Sequence, residues 1–267
     1  MLRPFFVLPA FALLTTLLTV WFWLARVLHL PGTDTAALVY CRVICRLLRV
    51  RVVSHGEPRQ GCVLVVANHT SWLDILVISS VAPVMFVAKR EVAAWPLIGA
   101  TAKMRGTIFV DRTQRRQSKA ANAEIAARLA SGQPVVLFAE GTSNDGNRVL
   151  PFRSALFGAA RDALANASDG QSIALQPLSL AYTTQQGVPM NRSQRPIVAW
   201  YGDLDFAPHL LHFVRRGVVD AVLVWGDPVP YDGSADRKDL MKRLESDVKQ
   251  QHGAMLRGLA RAGERQA

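Results

Sequence analysis

An unbroken apolar segment near the N-terminus restricts what this chain can fold into more than any other feature. No charged residue occurs within residues 4–25, and Arg3 and Arg26 flank the segment. Its length is close to the roughly 20 residues that cross a bilayer as a helix. Trp21 and Trp23 lie near its end, where aromatic rings favour the membrane interface. The segment is therefore predicted to be a membrane anchor.

Other interpretations of this segment stay open at the level of sequence. A cleaved signal peptide has a shorter apolar region and small residues at the cleavage site, whereas here Arg26 follows a long run. A helix buried in a protein core has a similar composition. Because Pro4 and Pro9 can kink the helix, the anchor either spans the bilayer or is re-entrant.

A second segment adds positive charge beside the anchor. Arg42, Arg46 and Arg49 recur at helical spacing within residues 35–51, with apolar residues between them. Such a basic amphipathic helix suits an anionic membrane surface, although an ordinary surface helix with a solvated basic face has the same pattern. The net charge of +11 also favours an anionic partner. Since no nucleic-acid-binding motif accompanies it, the predicted partner is an anionic membrane and not nucleic acid.

The rest of the chain alternates between strand and helix patterns. The predicted strands cover residues 62–67, 84–88, 107–110, 135–139, 173–180, 197–201 and 218–225, and the predicted helices cover 114–130, 152–164 and 234–252. This alternation predicts an α/β fold with a largely parallel central sheet flanked by helices, preceded by N-terminal membrane-associating helices. We divide the chain into an anchor with its basic helix (1–55), a globular domain (56–232), and a C-terminal amphipathic helix with a polar tail (233–267).

The stretch with the clearest chemistry follows the first of these buried strands and reads Asn68-His69-Thr70-Ser71-Trp72-Leu73-Asp74. Functional residues are favoured at the carboxyl ends of strands in such sheets. In one continuous helix, His69 and Asp74 would lie about 140° apart around the axis. They pair only if His69 precedes a helix that the side chain of Thr70 or Ser71 caps. Asp74 would then make His69 a general base, although a structural histidine near a helix start has the same pattern.

This motif and the segments after it resemble the glycerolipid acyltransferases, the lysophosphatidate acyltransferase family. His69-x4-Asp74 resembles the first signature of that family. Four further segments follow in the family's order: residues 86–99, which include Trp95-Pro96-Leu97-Ile98-Gly99; 106–112, ending in Val110-Asp111-Arg112; 138–142, Phe138-Ala139-Glu140-Gly141-Thr142; and 175–180, Leu175-Gln176-Pro177-Leu178-Ser179-Leu180. The resemblance therefore covers most of the globular domain.

The resemblance implies a lysolipid acyltransferase of the 1-acylglycerol-3-phosphate O-acyltransferase type. His69, paired with Asp74, would take the proton from the lysolipid hydroxyl, and the alkoxide would attack the thioester of acyl carrier protein or acyl-CoA. Arg112 and the turn at residues 140–142, Glu140-Gly141-Thr142, would bind the polar head of the acceptor. No cofactor and no metal is implied. The implied location is the bacterial cytoplasmic membrane, with residues 56–232 as the catalytic domain on the cytoplasmic side.

One residue departs from the family pattern. Many relatives have an arginine after Glu-Gly-Thr that is thought to help hold a phosphate, and this chain has Ser143 there. The run from Glu140 onward also resembles bacterial acyltransferases that complete ornithine lipids. Lyso-ornithine lipid is therefore an alternative acceptor, whose ammonium group would pair with Asp145. With lysophosphatidate as acceptor, Arg148 or Arg153 would take over the phosphate role.

Two functions of other classes use the same residues differently. A lipid hydrolase would use the histidine and aspartate of the pair to activate water instead of a lipid hydroxyl. A non-catalytic lipid-binding module would have no need for His69, Asp74 and Glu140 together. Acyl transfer is the function that the complete set of motifs favours.

Overall fold

The computed structural model describes residues 2–95, 98–110, 115–153, 164, 173–233 and 236–258. The helices within this part are α1 (Arg3–Val27), α2 (Thr33–Leu48), α3 (Leu73–Ser79), α4 (Ile98–Met104), α5 (Arg115–Ala130), α6 (Phe206–Arg216) and α7 (Arg237–Leu256). The strands are β1 (Val50–His55), β2 (Val63–Ala67), β3 (Met85–Lys89), β4 (Ile108–Val110), β5 (Val135–Phe138), β6 (Ile173–Gln185), β7 (Val188–Pro189), β8 (Val219–Trp225) and β9 (Val229–Tyr231). Short 3₁₀ helices cover Arg90–Ala94 and Arg195–Ile197.

The strands form one mixed sheet in the order β1-β8-β6-β2-β5-β3-β4, with β7 and β9 paired to β6. β2 lies between β5 and β6 and runs parallel to both, and β3 runs parallel to β4 and β5. β8 is parallel to β1 but antiparallel to β6. All five residues of β2 are buried, as expected of a parallel strand covered on both faces. The predicted α/β fold with a central sheet flanked by helices is confirmed.

The core lies on both faces of this sheet. Because alternate side chains of a strand point to opposite faces, Val63, Val65 and Ala67 of β2 pack into one cluster and Leu64 and Val66 into another. The first cluster includes residues of α2, α3 and α6, and the second includes residues of α5 and α7. The chain therefore leaves the carboxyl end of β2 between two layers of helices, one on each face of the sheet.

Helix α1 lies along this domain. The Arg3 guanidinium at its start donates to the carbonyl oxygens of Val214 in α6 (2.6 Å) and Leu48 in α2 (3.0 Å). Further along, the hydroxyls of Thr19 and Thr101 in α4 lie 2.6 Å apart. The buried residues of α1 recur along its whole length: Pro4, Val7, Thr15, Leu18, Phe22 and Ala25. Since both halves of α1 contact the domain, the helix does not project away from it.

The outer face of α1 is apolar and exposed. Phe5 and Phe6 are 76% and 73% exposed. Other large apolar side chains on this helix are also exposed: Leu13, Leu17, Val20, Trp21, Trp23, Leu24 and Val27. Within the described residues, α1 is the helix with the length and composition needed to cross a membrane. An exposed apolar face of this extent is typical of surfaces that bind lipid or another protein.

The region around α2 differs in part from the prediction. The helix ends at Leu48 because Arg49 adopts a positive φ of 60°, and the chain then enters β1. Arg42, Arg46 and Arg49 are exposed, and the Arg42 guanidinium also donates to the carbonyl of Ser80 (2.8 Å). The predicted boundaries place residues 50–55 in the N-terminal part, yet β1 is a strand of the central sheet. The domain boundaries themselves stay a prediction.

Two other predicted elements have different outcomes. The predicted strand at residues 197–201 is wrong, because the amides of Val198 and Ala199 both donate to the Arg195 carbonyl and close a helical turn. The amide of Trp200 then donates to the carbonyl of Thr70 (2.9 Å), which fixes this turn beside the histidine motif. Most of the predicted helix at 152–164 lies outside the described residues.

Candidate active site

A buried asparagine determines where the histidine leaves the sheet. The side chain of Asn68 donates to the Leu180 carbonyl and accepts from the Leu180 amide, both at 2.9 Å. Its amide group thus takes the place of a backbone peptide in the pairing of β2 with β6. The main chain is free to turn after this point, and His69 lies at the carboxyl end of the strand, where sequence reasoning places it.

Asp74, in the first turn of α3, holds His69 over the start of that helix. Its Oδ2 accepts from His69 Nδ1 (2.8 Å) and from the amides of Thr70 (2.7 Å) and Ser71 (3.0 Å). The Asp74 side chain is fully buried, whereas that of His69 is 19% exposed. Because Nδ1 donates to a carboxylate, Nε2 of the neutral imidazole is left as a proton acceptor. This is the arrangement that a general base requires.

The start of α3 is formed differently from the prediction. No side chain caps the helix, and its N-cap residue is Trp72. Thr70 and Ser71 contribute backbone amides to Asp74 instead of capping hydroxyls. The Asp74 carboxylate therefore replaces the expected cap from Thr70 or Ser71, because it accepts hydrogen bonds from free amides of the turn before its own helix.

An aromatic ring fixes the plane of the imidazole. The rings of His69 and Phe138 are stacked, with centroids 3.9 Å apart and an interplanar angle of 14°. Phe138 is the last residue of β5, next to β2 in the sheet, so the two strand ends bring the rings together. With Asp74 holding one ring edge and Phe138 covering one face, the imidazole has little freedom to rotate.

Glu140 joins the loop after β5 to the same turn. Its Oε1 accepts from the His69 amide (3.2 Å), and its Oε2 accepts from Asn144 Nδ2 (2.5 Å). Burial raises the pKa of Glu140 to about 8 and the nearby Asp74 carboxylate adds to the rise, although hydrogen bonds from Asn144, His69 and Leu150 oppose it. The Glu140 side chain is therefore a buried link between the turn at His69 and the loop after β5.

Glycine at position 141 suits the left-handed backbone of this loop. Its φ is 73°, and a Cβ at this position would lie 2.9 Å from Cδ of Arg153. The Arg153 amide also donates to the Ala139 carbonyl (2.9 Å), so the chain at Arg153 returns to the end of β5. The Arg153 side chain thus passes directly over Gly141 while the residue itself stays exposed.

The loop that follows is tied down by its own side chains. The Asp145 carboxylate accepts from the amide of Asn147 (3.1 Å) and from its side chain (3.0 Å). These bonds from Asn147 lower the pKa of Asp145. Arg195 donates to Asn147 Oδ1 (2.9 Å), whereas Arg148 is exposed. Asp145 is therefore a fixed, ionised carboxylate beside the turn at Ser143.

An apolar cavity of about 220 Å³ leads away from the imidazole. Near the site it is lined by His69, Thr142, Ser143 and Trp200. Its walls come from α1, α2, α3, α4, β3, the end of β5 and the start of α6, and its lining includes Phe11, Leu18, Leu76, Phe86, Trp95 and Phe138. A largely apolar cavity that His69 helps to line suits an alkyl chain.

The predicted site residues divide into three groups. His69, Asp74 and Glu140 form one hydrogen-bonded unit, and Thr142 and Ser143 line the cavity beside it. The loop residues Gly141, Asp145, Arg148 and Arg153 lie around this unit, the last two exposed to solvent. Arg112 lies outside the described residues. The roles of all these residues stay a prediction.

Sequence reasoning missed four residues of the site. Asn144 holds the His69 carbonyl through its amide (3.2 Å) and its side chain (3.3 Å), and its position two residues after the motif at 138–142 was the available signal. Phe138 was read only as part of a motif. Trp200 and Tyr182 come from distant parts of the chain, and no local pattern connects them with His69.

Comparison with known proteins shows the family. The acyltransferase family model matches residues 49–181. Lyso-ornithine lipid O-acyltransferase of Brucella abortus is 44% identical over 209 residues, which cover 78% of each chain. Its counterpart from Rhizobium meliloti is 44% identical over 222 residues, covering 83% of this chain and 76% of that protein. The chain belongs to the acyltransferase family.

Two further relatives of this acyltransferase bear on its acceptor and its fold. The 1-acyl-sn-glycerol-3-phosphate acyltransferase of Neisseria gonorrhoeae is 44% identical over 101 residues, 38% of this chain and 40% of that protein. The crystal structure of the 1-acyl-sn-glycerophosphate acyltransferase PlsC from Thermotoga maritima has the same fold, with a TM-score of 0.58 at 20% identity over 95% of this chain and all of that one. The lipid-metabolising family and the apolar face of α1 together indicate membrane association.

Proposed function

We propose that this acyltransferase moves an acyl chain from a thioester donor to the free hydroxyl of lyso-ornithine lipid. The observation that carries the proposal is the His69–Asp74 pair at the end of an apolar cavity. His69 Nε2 takes the proton of the lipid hydroxyl as its oxygen attacks the thioester carbonyl. The tetrahedral intermediate then expels the thiolate, which takes the proton from the imidazolium. The products are the ester and the free thiol.

Asp74 contributes by stabilising the imidazolium during this step. Its Oδ2 keeps Nδ1 protonated, so Nε2 is the atom that accepts the substrate proton. The sequence contains no Gly-x-Ser-x-Gly nucleophile motif, which supports direct transfer to the lipid without an acyl-enzyme. The donor is acyl carrier protein or acyl-CoA, each of which presents a thioester, and its acyl chain would occupy the apolar cavity.

Two observations favour the ornithine headgroup. The relatives named for lyso-ornithine lipid align with more than three quarters of this chain, whereas the Neisseria relative aligns with 38%. The fixed carboxylate of Asp145 offers a partner for the ornithine ammonium, and Arg148 or Arg153 for its carboxylate. A phosphate headgroup, with up to two negative charges, would gain more from an arginine where this chain has Ser143.

Competition between two acceptors tests this choice. The wild-type protein should acylate lyso-ornithine lipid in preference to lysophosphatidate when both are offered with one donor. Ser143→Arg should shift the ratio of the two kcat/KM values toward lysophosphatidate. Asp145→Ala should lower kcat/KM for lyso-ornithine lipid more than kcat/KM for lysophosphatidate. An Asp203→Ala variant, at an exposed position in another loop, serves as a control for general loss of activity. A ratio that favours lysophosphatidate in the wild type would reject the proposed acceptor.

We also propose that the protein lies on the cytoplasmic face of the bacterial cytoplasmic membrane, with α1 in the plane of the interface. The bonds of Arg3 and Thr19 and the buried side chains of α1 hold this helix against the domain. Its exposed apolar face can therefore enter one leaflet. Arg46 and Arg49, exposed on α2 and just after it, would then meet anionic headgroups. This arrangement favours the re-entrant or interfacial anchor over a spanning one.

Replacing exposed apolar residues on the outer face of α1 by aspartate should release the protein from membranes. Phe5→Asp with Phe6→Asp removes two exposed rings, each worth about 1.5–3 kcal/mol when buried in an apolar phase. We expect at least about a tenfold loss of binding to anionic vesicles in a sedimentation assay. Val188→Asp, at a side chain 64% exposed on β7, should leave binding unchanged. Equal sedimentation of the double variant and the wild type would exclude this face as the anchor.

A further inference from the structure

The second oxygen of Asp74 has a partner that the mechanism so far does not use. Asp74 Oδ1 accepts from the phenol of Tyr182 at 2.8 Å. Tyr182 lies on β6, 108 residues from Asp74 in the chain, and is only 3% exposed. The two oxygens of the carboxylate thus have separate tasks, since Oδ2 binds His69 and its turn while Oδ1 binds the phenol.

The sheet directs this phenol toward α3. Tyr182 pairs with Ala221 of β8, and the register of that pairing shifts between Tyr182 and Thr184. Irregularities of this kind re-aim neighbouring side chains and are frequent beside active sites. The Tyr182 ring packs in the core cluster on the face of the sheet that α3 covers. The Tyr182 hydroxyl therefore reaches Asp74 from the buried core between the sheet and α3.

The phenol can act only as a donor in this position. A carboxylate has no proton to give, so the Tyr182 hydroxyl donates to Asp74. Burial, together with the Asp74 charge, raises the pKa of Tyr182 well above its ordinary value. The Tyr182 hydroxyl therefore keeps its proton and remains the donor in this hydrogen bond. It withdraws negative charge from the carboxylate that faces the imidazole.

We propose that Tyr182 is a positioning residue of the acyltransferase, which fixes the Asp74 carboxylate and limits how strongly that carboxylate stabilises the protonated form of His69. The proposal rests on the proposed role of His69 as the base. A carboxylate without this donor would hold the imidazolium more tightly. The base would then need a higher pH before it could accept the substrate proton.

Other titratable groups face this cluster and have to be considered in its pH dependence. Glu140, after β5, binds the His69 amide and has a pKa of about 8, and Cys45 of α2 faces the Tyr182 phenol. His209 of α6 accepts from the indole of Trp72, two residues before Asp74. Because the raised pKa of Glu140 lies within the range that such pH profiles cover, each Tyr182 comparison should be repeated with Glu140→Gln in both proteins.

Tyr182→Phe tests the proposal with the full-length protein in detergent micelles. The change removes one oxygen and keeps the buried ring. We expect the acid limb of the kcat/KM profile to move up by about half a pH unit or more, since bonds to charged groups are among the stronger hydrogen bonds. The NMR titration midpoint of the His69 ring, assigned through its loss in His69→Ala, should move in the same direction. Replacement of the tyrosines by 3-fluorotyrosine strengthens the donor and should move both midpoints down.

Tyr231→Phe is the matched control, because Tyr231 is equally buried but lies on β9 in the opposite core cluster. It should leave both midpoints at their wild-type values. A Tyr182→Phe enzyme that is slower at every pH, with both midpoints unchanged, would overturn the proposal and leave Tyr182 a packing residue. If Tyr182→Phe does not fold, unchanged midpoints in the fluorotyrosine protein would overturn it equally. A wild-type protein without any acyl transfer would instead reject the proposed function.

Discussion

Replacing His69 by alanine should lower the rate of acyl transfer by about 10²- to 10⁴-fold, the range that a positioned general base contributes. The His69 imidazole is the group at the end of the apolar cavity whose free nitrogen can take a proton from a lipid hydroxyl. The loss should fall mainly on kcat, because the cavity walls that hold the acyl chain are unchanged. Initial rates with saturating donor and acceptor measure it.

The controls for this variant separate catalysis from folding. His212→Ala, at an exposed position of α6, should retain wild-type rates. The thermal unfolding midpoint and vesicle binding of His69→Ala should stay close to those of the wild type, since the His69 side chain is partly exposed. A His69→Ala protein that transfers acyl groups at the wild-type rate would remove the base from the mechanism.

Asp74→Asn should lower the rate by roughly 10²- to 10⁴-fold, because it removes the charge that stabilises the imidazolium. The amide can keep its oxygen at the Oδ2 position only if its nitrogen faces the Tyr182 phenol. In the opposite orientation, the amide nitrogen would donate to Nδ1 and leave the proton of the neutral ring on Nε2. Both orientations impair the base, by loss of charge or by the wrong tautomer.

Asp220→Asn provides the matched comparison for this change. Asp220 on β8 is, like Asp74, a buried carboxylate with several hydrogen bonds, which come from Arg51 and Thr184. It lies away from the His69 turn, so its replacement should change stability modestly and leave kcat unaltered. Equal kinetic losses in the two variants would mean that the effect of Asp74→Asn is structural and not chemical.

The histidine turn was predictable because the relevant interactions are local. Between Val63 and Ser79, a buried strand is followed by the polar residues Asn68 and His69 and then by a helix pattern. The pairing of His69 with Asp74 spans five residues, and simple helix geometry requires His69 to precede the helix. Glu140 was predictable for a related reason, since it follows the next strand of a parallel sheet and such strand ends share one edge.

The contacts of Tyr182 and Phe138 depend on strand order, which no local pattern determines. Tyr182 reaches Asp74 only because β6 lies beside β2 and its side chain points to the face that α3 covers. β1 went unrecognised because Val50 and Arg51 continue the apolar and basic pattern of α2, and its partner β8 follows far along the chain. Residues 197–201 have the composition of a strand, but the fixed φ of Pro196 favours the helical turn that the chain adopts.

The anchor illustrates a limit of composition. The length and hydropathy of α1 fit a spanning helix and an interfacial helix equally well. Our proposal of an interfacial helix rests instead on side chains at a few positions, above all on Arg3, whose guanidinium contacts two other helices of the domain. Such contacts hold α1 against the domain, and they become visible only in the folded protein.

The fate of a labelled acyl group tests the central claim most directly. The full-length protein is incubated with a donor that carries the label in its acyl chain, with and without lyso-ornithine lipid. Direct transfer predicts label in the ester-linked lipid only when the acceptor is present, with one free thiol for each ester formed and no label on the protein. Release of labelled free fatty acid at the same rate with and without the acceptor would contradict the account and identify the protein as a hydrolase.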